Sequence, residues 1–66
     1  MKSIVIDAPL RRRFLDLYID WRRAAGDSIV TLPVEGPPQG DTVLFAQVPT
    51  EFLDILTINA MSFTLA

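Results

Sequence analysis

From Pro9 to Gly26 the chain offers one uninterrupted helical segment, and in a protein of 66 residues that segment decides most of the architecture. No glycine and no further proline falls between them. Pro9 suits the first helical turn, where its missing N–H is not needed, with Asp7 or Ala8 flanking the start. Leu10, Phe14, Leu17, Trp21 and Ala24 follow the 4-3-4-3 spacing of one helical face, with Tyr18 and Ala25 on its flank. Gly26 supplies a C-cap. A helix from Pro9 to Ala25 is therefore expected, its apolar face laid against whatever the other residues build.

Those other residues read mainly as strand. Ser3–Asp7 holds the β-branched run Ile4-Val5-Ile6, a short strand buried on both faces or central in a small sheet. Asp27-Ser28 leads into a second strand, Ile29 to Val34, with Val30, Leu32 and Val34 on one face and Pro33 marking an edge or an end. Glu35–Asp41 is loop-rich and too short to separate two domains. A third strand covers Thr42 to Val48. Beyond Pro49, a threonine N-cap at Thr50, an acidic first turn, and Phe52, Ile55 and Leu56 at i, i+3 and i+4 point to a short second helix. Met61, Phe63 and Leu65 then alternate with Ser62, Thr64 and Ala66, the period of a half-buried strand. The order βαββαβ is that of a small ferredoxin-like (split βαβ) two-layer fold, one α+β domain over residues 1–66. Residues 50–60 leave an alternative open. Leu53, Ile55 and Thr57 also fit a strand turning at Asn59-Ala60, which gives one helix packed on a β-meander.

A domain of this length buries only about 60% of its unfolded surface, so small domains commonly add disulfides, a metal or a partner subunit. Without cysteine or histidine the first two fall away: there is no disulfide, structural zinc, haem or iron–sulfur site, and no cofactor is expected. A protein partner or homo-oligomer remains. The mean hydropathy of +0.33, with half the residues apolar, agrees, because so small an interior cannot hide them all. No run approaches a membrane span and no positively charged start precedes an apolar stretch of signal length, so a cytoplasmic location is expected and no membrane partner.

The same composition argues against an enzyme. Histidine, the commonest general base, and cysteine, the most readily ionised nucleophile, are missing, and no catalytic residue, metal ligand or small-molecule substrate site is evident. Asp16 and Asp20 share a helical side with Arg12, Arg13 and Arg23 one turn away, the pattern of solvated ion pairs. No Gly-rich phosphate motif occurs, and Pro37-Pro38 reads as a stiff turn.

Charge is segregated along the chain. All six basic residues, Lys2, Arg11, Arg12, Arg13, Arg22 and Arg23, precede residue 24, and with Asp7, Asp16 and Asp20 they make a +3 start. Asp27, Glu35, Asp41, Glu51 and Asp54 make a −5 remainder, and the net is −2. Three arginines in the first helical turn oppose the helix dipole, so a compensating contact is expected. Leu15 and Ile19 lie on a stripe with Arg11, Arg12, Arg22 and Arg23, on the side a two-layer fold would leave to solvent. Apolar anchors with an arginine rim have the composition of a protein contact. The expectation is a non-enzymatic protein-binding module, self-associating or serving as a small inhibitor or accessory subunit, such as a phage-type inhibitor of a nucleic-acid-binding machine. In that role the acidic group Asp27, Glu35, Asp41, Glu51 and Asp54 would face a basic groove on the target. The alternative is a small dimeric nucleic-acid-binding regulator using Arg11, Arg12, Arg22 and Arg23, which the pI of about 4.7 disfavours. Trp21 is expected in the core, with the Tyr18 hydroxyl left wet.

Overall fold

The computed structural model describes residues 1–35 and 42–66, Val34 and Glu35 by backbone alone. The β-branched run sits in Lys2–Asp7 (β1), followed by a 3-10 turn Ala8–Leu10 and the helix Arg11–Ala24 (α1). Val34–Glu35 (β2), Val43–Val48 (β3), Phe52–Ile58 (α2) and Thr64–Leu65 (β4) complete a small α+β domain. Its sheet is antiparallel, with β1 central between β3 and β4, and the two-residue β2 extends it along the outer side of β3. β1 and β3 pair from Lys2 opposite Val48 to Asp7 opposite Val43, and the Ala8 N–H continues the ladder to the Thr42 carbonyl at 2.9 Å. No helix of the described residues is long and apolar enough to cross a membrane.

That register sorts the strand side chains. Ile4 and Ile6 share a face with Ala46 and Val48, and all four are buried against Phe14 and Tyr18 of α1, Phe52 and Leu56 of α2, and Met61. Val5, Val43 and Phe45 share the opposite face and are half-buried, so β1 is central without being fully covered on both sides.

Several expectations need correction. The second strand does not begin at Ile29. Asp27 to Pro33 carries no regular structure, and only Val34–Glu35 pairs with β3. The Asp27 N–H is spent on the helix cap and Pro33 has no N–H, so this stretch is short of free ladder donors. Val30 packs on the core while Ile29 lies 87% exposed. The expected loop at Glu35–Asp41 falls, apart from the Glu35 backbone, outside the described residues. Residues 52–58 are helical, so the meander alternative does not hold. Thr50 is not the N-cap: Glu51 takes that position, and no side chain caps the helix. The last strand shrinks to Thr64–Leu65, with Met61 buried, Phe63 half-buried and Leu65 exposed.

The core face of α1 is also rotated from its expected position. Phe14 and Tyr18, spaced i and i+4, are its buried residues, while Leu10, Leu17 and Trp21 are half-buried and Ala24 is exposed. Phe52 draws the face round. Its ring lies 5.7 Å from Phe14, 5.1 Å from Tyr18 and 5.1 Å from Trp21.

Both helices end in the same motif. In α1 the N–H groups of Gly26 and Asp27 bond the carbonyls of Arg23 and Arg22, and Gly26 adopts φ +102°. In α2 those of Ala60 and Met61 bond Thr57 and Leu56, with Ala60 at φ +56°. These are Schellman closures. In α2 the pair that closes the motif, Leu56 and Met61, is buried in the core; in α1 the same positions hold the ion pair Arg22–Asp27. The left-handed conformation costs an L-residue roughly 1–2 kcal/mol, part of which glycine's greater chain entropy offsets. Ala60→Gly should therefore raise stability by about 1 kcal/mol, read as a shifted urea midpoint at constant slope. Gly26→Ala should lower it through strain alone, since an added Cβ meets nothing within 4 Å. An unmoved midpoint for Ala60→Gly would refute the strain at residue 60.

Candidate interaction surface

The outer flank of α1 and the irregular stretch before β2 enclose a groove of about 400 Å³, lined by Arg11, Arg12, Leu15, Asp16, Ile19 and Leu32. Leu15 and Ile19, one turn apart, form its helical wall, and Leu32 faces them from the chain that descends toward β2. These facing walls are aliphatic. The rim carries two guanidinium groups and the Asp16 carboxylate. A smaller hollow of about 250 Å³, lined by Val5, Asp7, Val43, Ser62, Phe63 and Thr64, involves the uncovered face of the sheet and has one charged residue.

The stripe foreseen on this helix is only partly assembled as expected. Leu15 is half-buried and packs on the core, so it is shared between the interior and the groove. Its place on the wheel, about 100° from Phe14, explains this: a core face recentred between Phe14 and Tyr18 reaches that far round. Ile19 is half-buried as well. Arg22 does not join the groove. Its Nε donates to the Asp27 carboxylate at 2.7 Å, and its guanidinium carbon lies 5.0 Å from the Trp21 ring centre. The hydrogen bond to Asp27 raises its pKa from the ordinary value, burial acting the other way and the Asp27, Tyr18 and Glu51 charges adding to the rise. Arg23 is exposed beyond the far end of the groove.

Arg13 supplies the compensation that three arginines in one first turn require. Its guanidinium donates to the Asn59 carbonyl at 2.7 Å, at the C-terminal end of α2. The positive pole of one helix thus lies beside the negative pole of the other, with a cation bridging them.

Among the described residues, no contact gathers Asp27, Glu51 and Asp54 into one face. Asp27 is held by Arg22, and Glu51 lies within electrostatic range of the same guanidinium. Glu51 and Asp54 are exposed at the start of α2, the Glu35 side chain is not described, and Asp41 lies outside the described residues. Leu32 and Asp16 are the groove residues that sequence reading missed, Asp16 reading there as a solvated ion-pair partner. For Leu32 the reason is local. An alternating pattern put it in a strand, and the only contrary signal was Pro33 next to it.

An open groove with aliphatic walls and both guanidinium and carboxylate groups on its rim can seat side chains of a macromolecule. It brings together no nucleophile and base. The chain matches no family model, no curated protein and no solved structure.

Proposed function

We propose that this chain is a non-enzymatic protein-binding module, self-associating or acting as an accessory subunit or inhibitor of a larger protein, built on a compact ferredoxin-like (split βαβ) domain. The fold reading is supported by the order βαββαβ together with the sheet order β2-β3-β1-β4. The functional reading rests on one observation, the groove in which Leu15, Ile19 and Leu32 are brought together with Arg11, Arg12 and Asp16. The accessible surface of 4451 Å² is close to the roughly 4,200 Å² usual for a folded chain of this mass. Ile29, Leu32, Ile58 and Leu65 are all exposed. Absence of histidine and cysteine supports a non-enzymatic role, and a cytoplasmic setting belongs to the same proposal.

The nucleic-acid alternative draws on Arg11, Arg12, Arg22 and Arg23. Pairing of Arg22 with Asp27 weakens it, because that cation is already partly neutralised.

Affinity capture from cells that express the chain tests the proposal. Ile19→Glu with Leu32→Glu should leave a folded domain, checked by circular dichroism, yet lose the protein that the native chain retains. Leu15 is kept because it also packs on the core. Equal capture by the double variant, or capture of nucleic acid alone, would overturn the reading.

A further inference from the structure

β4 is an edge of the sheet, and its backbone shows which groups that edge offers. The Ala66 N–H donates to the Ser3 carbonyl at 3.0 Å and Thr64 pairs with Val5, so the backbone groups of Thr64 and Ala66 face β1. Successive residues of a strand turn their N–H and C=O to alternate sides. Those of Leu65 therefore point outward, and Phe63, two residues earlier, has the same sense. Neither backbone has a hydrogen-bond partner among the described residues. Such an edge is normally guarded by a charge, a proline or a covering loop. Residues 55–66 hold no charged residue and no proline, and Ser62, Thr64, Leu65 and Ala66 are exposed.

The side chains of this edge complement themselves. Leu65 stands opposite Ile4 and so lies on the helix side of the sheet, yet it keeps 58% of its surface, because the helices stop short of it. Phe63 alternates onto the same side and packs half-buried on the core. Thr64, opposite Val5, lies on the uncovered face. Antiparallel pairing about a two-fold axis through Thr64 sets Phe63 of each copy opposite Leu65 of the other, and Thr64 opposite Thr64. The outward groups of Phe63 and Leu65 then close two hydrogen-bonded pairs, and the threonines form the closer pair between them. An axis through Phe63 instead would oppose Leu65 to Met61, whose N–H is already given to the Leu56 carbonyl.

We infer that β4 pairs antiparallel with β4 of a second copy of this chain about a two-fold axis through Thr64, joining two four-stranded sheets into one. An unrelated strand would meet the same backbone groups, but a second copy brings Leu65 to Phe63 and Phe63 to Leu65 by symmetry alone. Aromatic on aliphatic on one face and threonine on threonine on the other are cross-strand pairs of the kind that stabilise sheets. With no charge in the segment, the two-fold axis opposes no like charges along the paired strands. The contact is isologous, so it closes at two chains. Three residues a side bury less than about 1,000 Å², the size of a weak, reversible interface. This edge gives a surface to the self-association proposed above and uses none of the groove residues, so its failure leaves the groove to its own test.

Sedimentation equilibrium of the purified chain tests it. The weight-average mass should rise with protein concentration from the 7.4 kDa of one chain toward twice that value, level off there, and not fall when salt is added. Leu65→Pro removes an N–H that the chain itself does not use, so it should stay folded by circular dichroism yet remain at single-chain mass. Thr64→Lys and Thr64→Glu alter an exposed residue and should each stay single, because like charges then meet at the axis. Mixed in equal amounts, those two should associate, and salt should weaken that pair. They decide the matter even if Leu65→Pro fails to fold. Ile19→Glu with Leu32→Glu should associate as the native chain does. A native chain that stays single at every concentration, a Leu65→Pro variant that still pairs, or a mixture of the two Thr64 variants that stays single would each overturn the β4 contact. Association lost on altering the groove would overturn it too, moving the contact to α1. A protein captured by a single native chain but not by Leu65→Pro would overturn self-pairing and give the edge to a foreign strand.

Discussion

Phe52→Ala is expected to leave little folded protein at 25 °C. Phe52 is fully buried and is the ring that Phe14, Tyr18 and Trp21 share, at centre distances of 5.7, 5.1 and 5.1 Å. Truncating a buried phenylalanine costs about 3–5 kcal/mol, and each aromatic pair adds roughly 0.5–1.5 kcal/mol beyond buried area. A domain of this length has about 3–10 kcal/mol in total, so the loss consumes most or all of it. The effect is larger because α2 has seven residues, well below the roughly 12–15 that an isolated helix needs. Phe52 and Leu56 are what hold it in place. Phe52→Leu keeps most of the volume, loses the ring contacts, and should cost about 1–2 kcal/mol. Urea titrations followed by far-ultraviolet circular dichroism separate the outcomes. An alanine variant that unfolds cooperatively with nearly the native midpoint would show that Phe52 does not organise the core.

The dependence of α2 on Phe52 also explains which parts of the molecule were legible in the sequence. α1 was, because a long apolar repeat bounded by Pro9 and Gly26 carries its own period and its own stop. β1 and β3 were, because β-branched and apolar residues cluster in short runs. Residues 50–60 were ambiguous because Leu53, Ile55 and Thr57 fit a strand locally, and packing of Phe52 and Leu56 decides for helix. A turn at Asn59-Ala60 was expected only with the strand alternative; as the helix's Schellman closure it depends on Ala60 accepting φ +56° so that Met61 can reach the core. An alanine gives no hint of that conformation. For the groove, helical spacing identified Arg11, Arg12, Leu15 and Ile19. Leu32 escaped because it comes from a stretch whose alternation mimics a strand, and the pairing of Arg22 with Asp27 was not legible because the cap that brings the two together is a feature of the backbone.

Tyr18→Ala is expected to destabilise the domain more than Trp21→Ala, the reverse of the order that the spacing of apolar residues suggests. In the sequence Trp21 continues the row Leu10, Phe14, Leu17 while Tyr18 stands to its side. In the fold Tyr18 keeps 7% of its surface and Trp21 is half-buried at the edge of the aromatic cluster. Removing the Tyr18 ring opens a void beside Phe52 and deletes edge-on contacts to Phe52 and Trp21 at 5.1 and 5.7 Å. That should cost about 3–5 kcal/mol. Removing the Trp21 ring deletes its contacts to Phe52 and Tyr18 and the seat of the Arg22 guanidinium, but exposes much of the vacated space to solvent instead of leaving a cavity. About 2 kcal/mol is expected there, since a site open to water leaves less of a void to maintain. Measured by urea unfolding under one set of conditions, Trp21→Ala proving the costlier of the two would move the centre of the α1 face back toward the Leu17 side. The groove would then lie further from the core than the present geometry puts it, and Leu15 would be free to serve the contact surface alone.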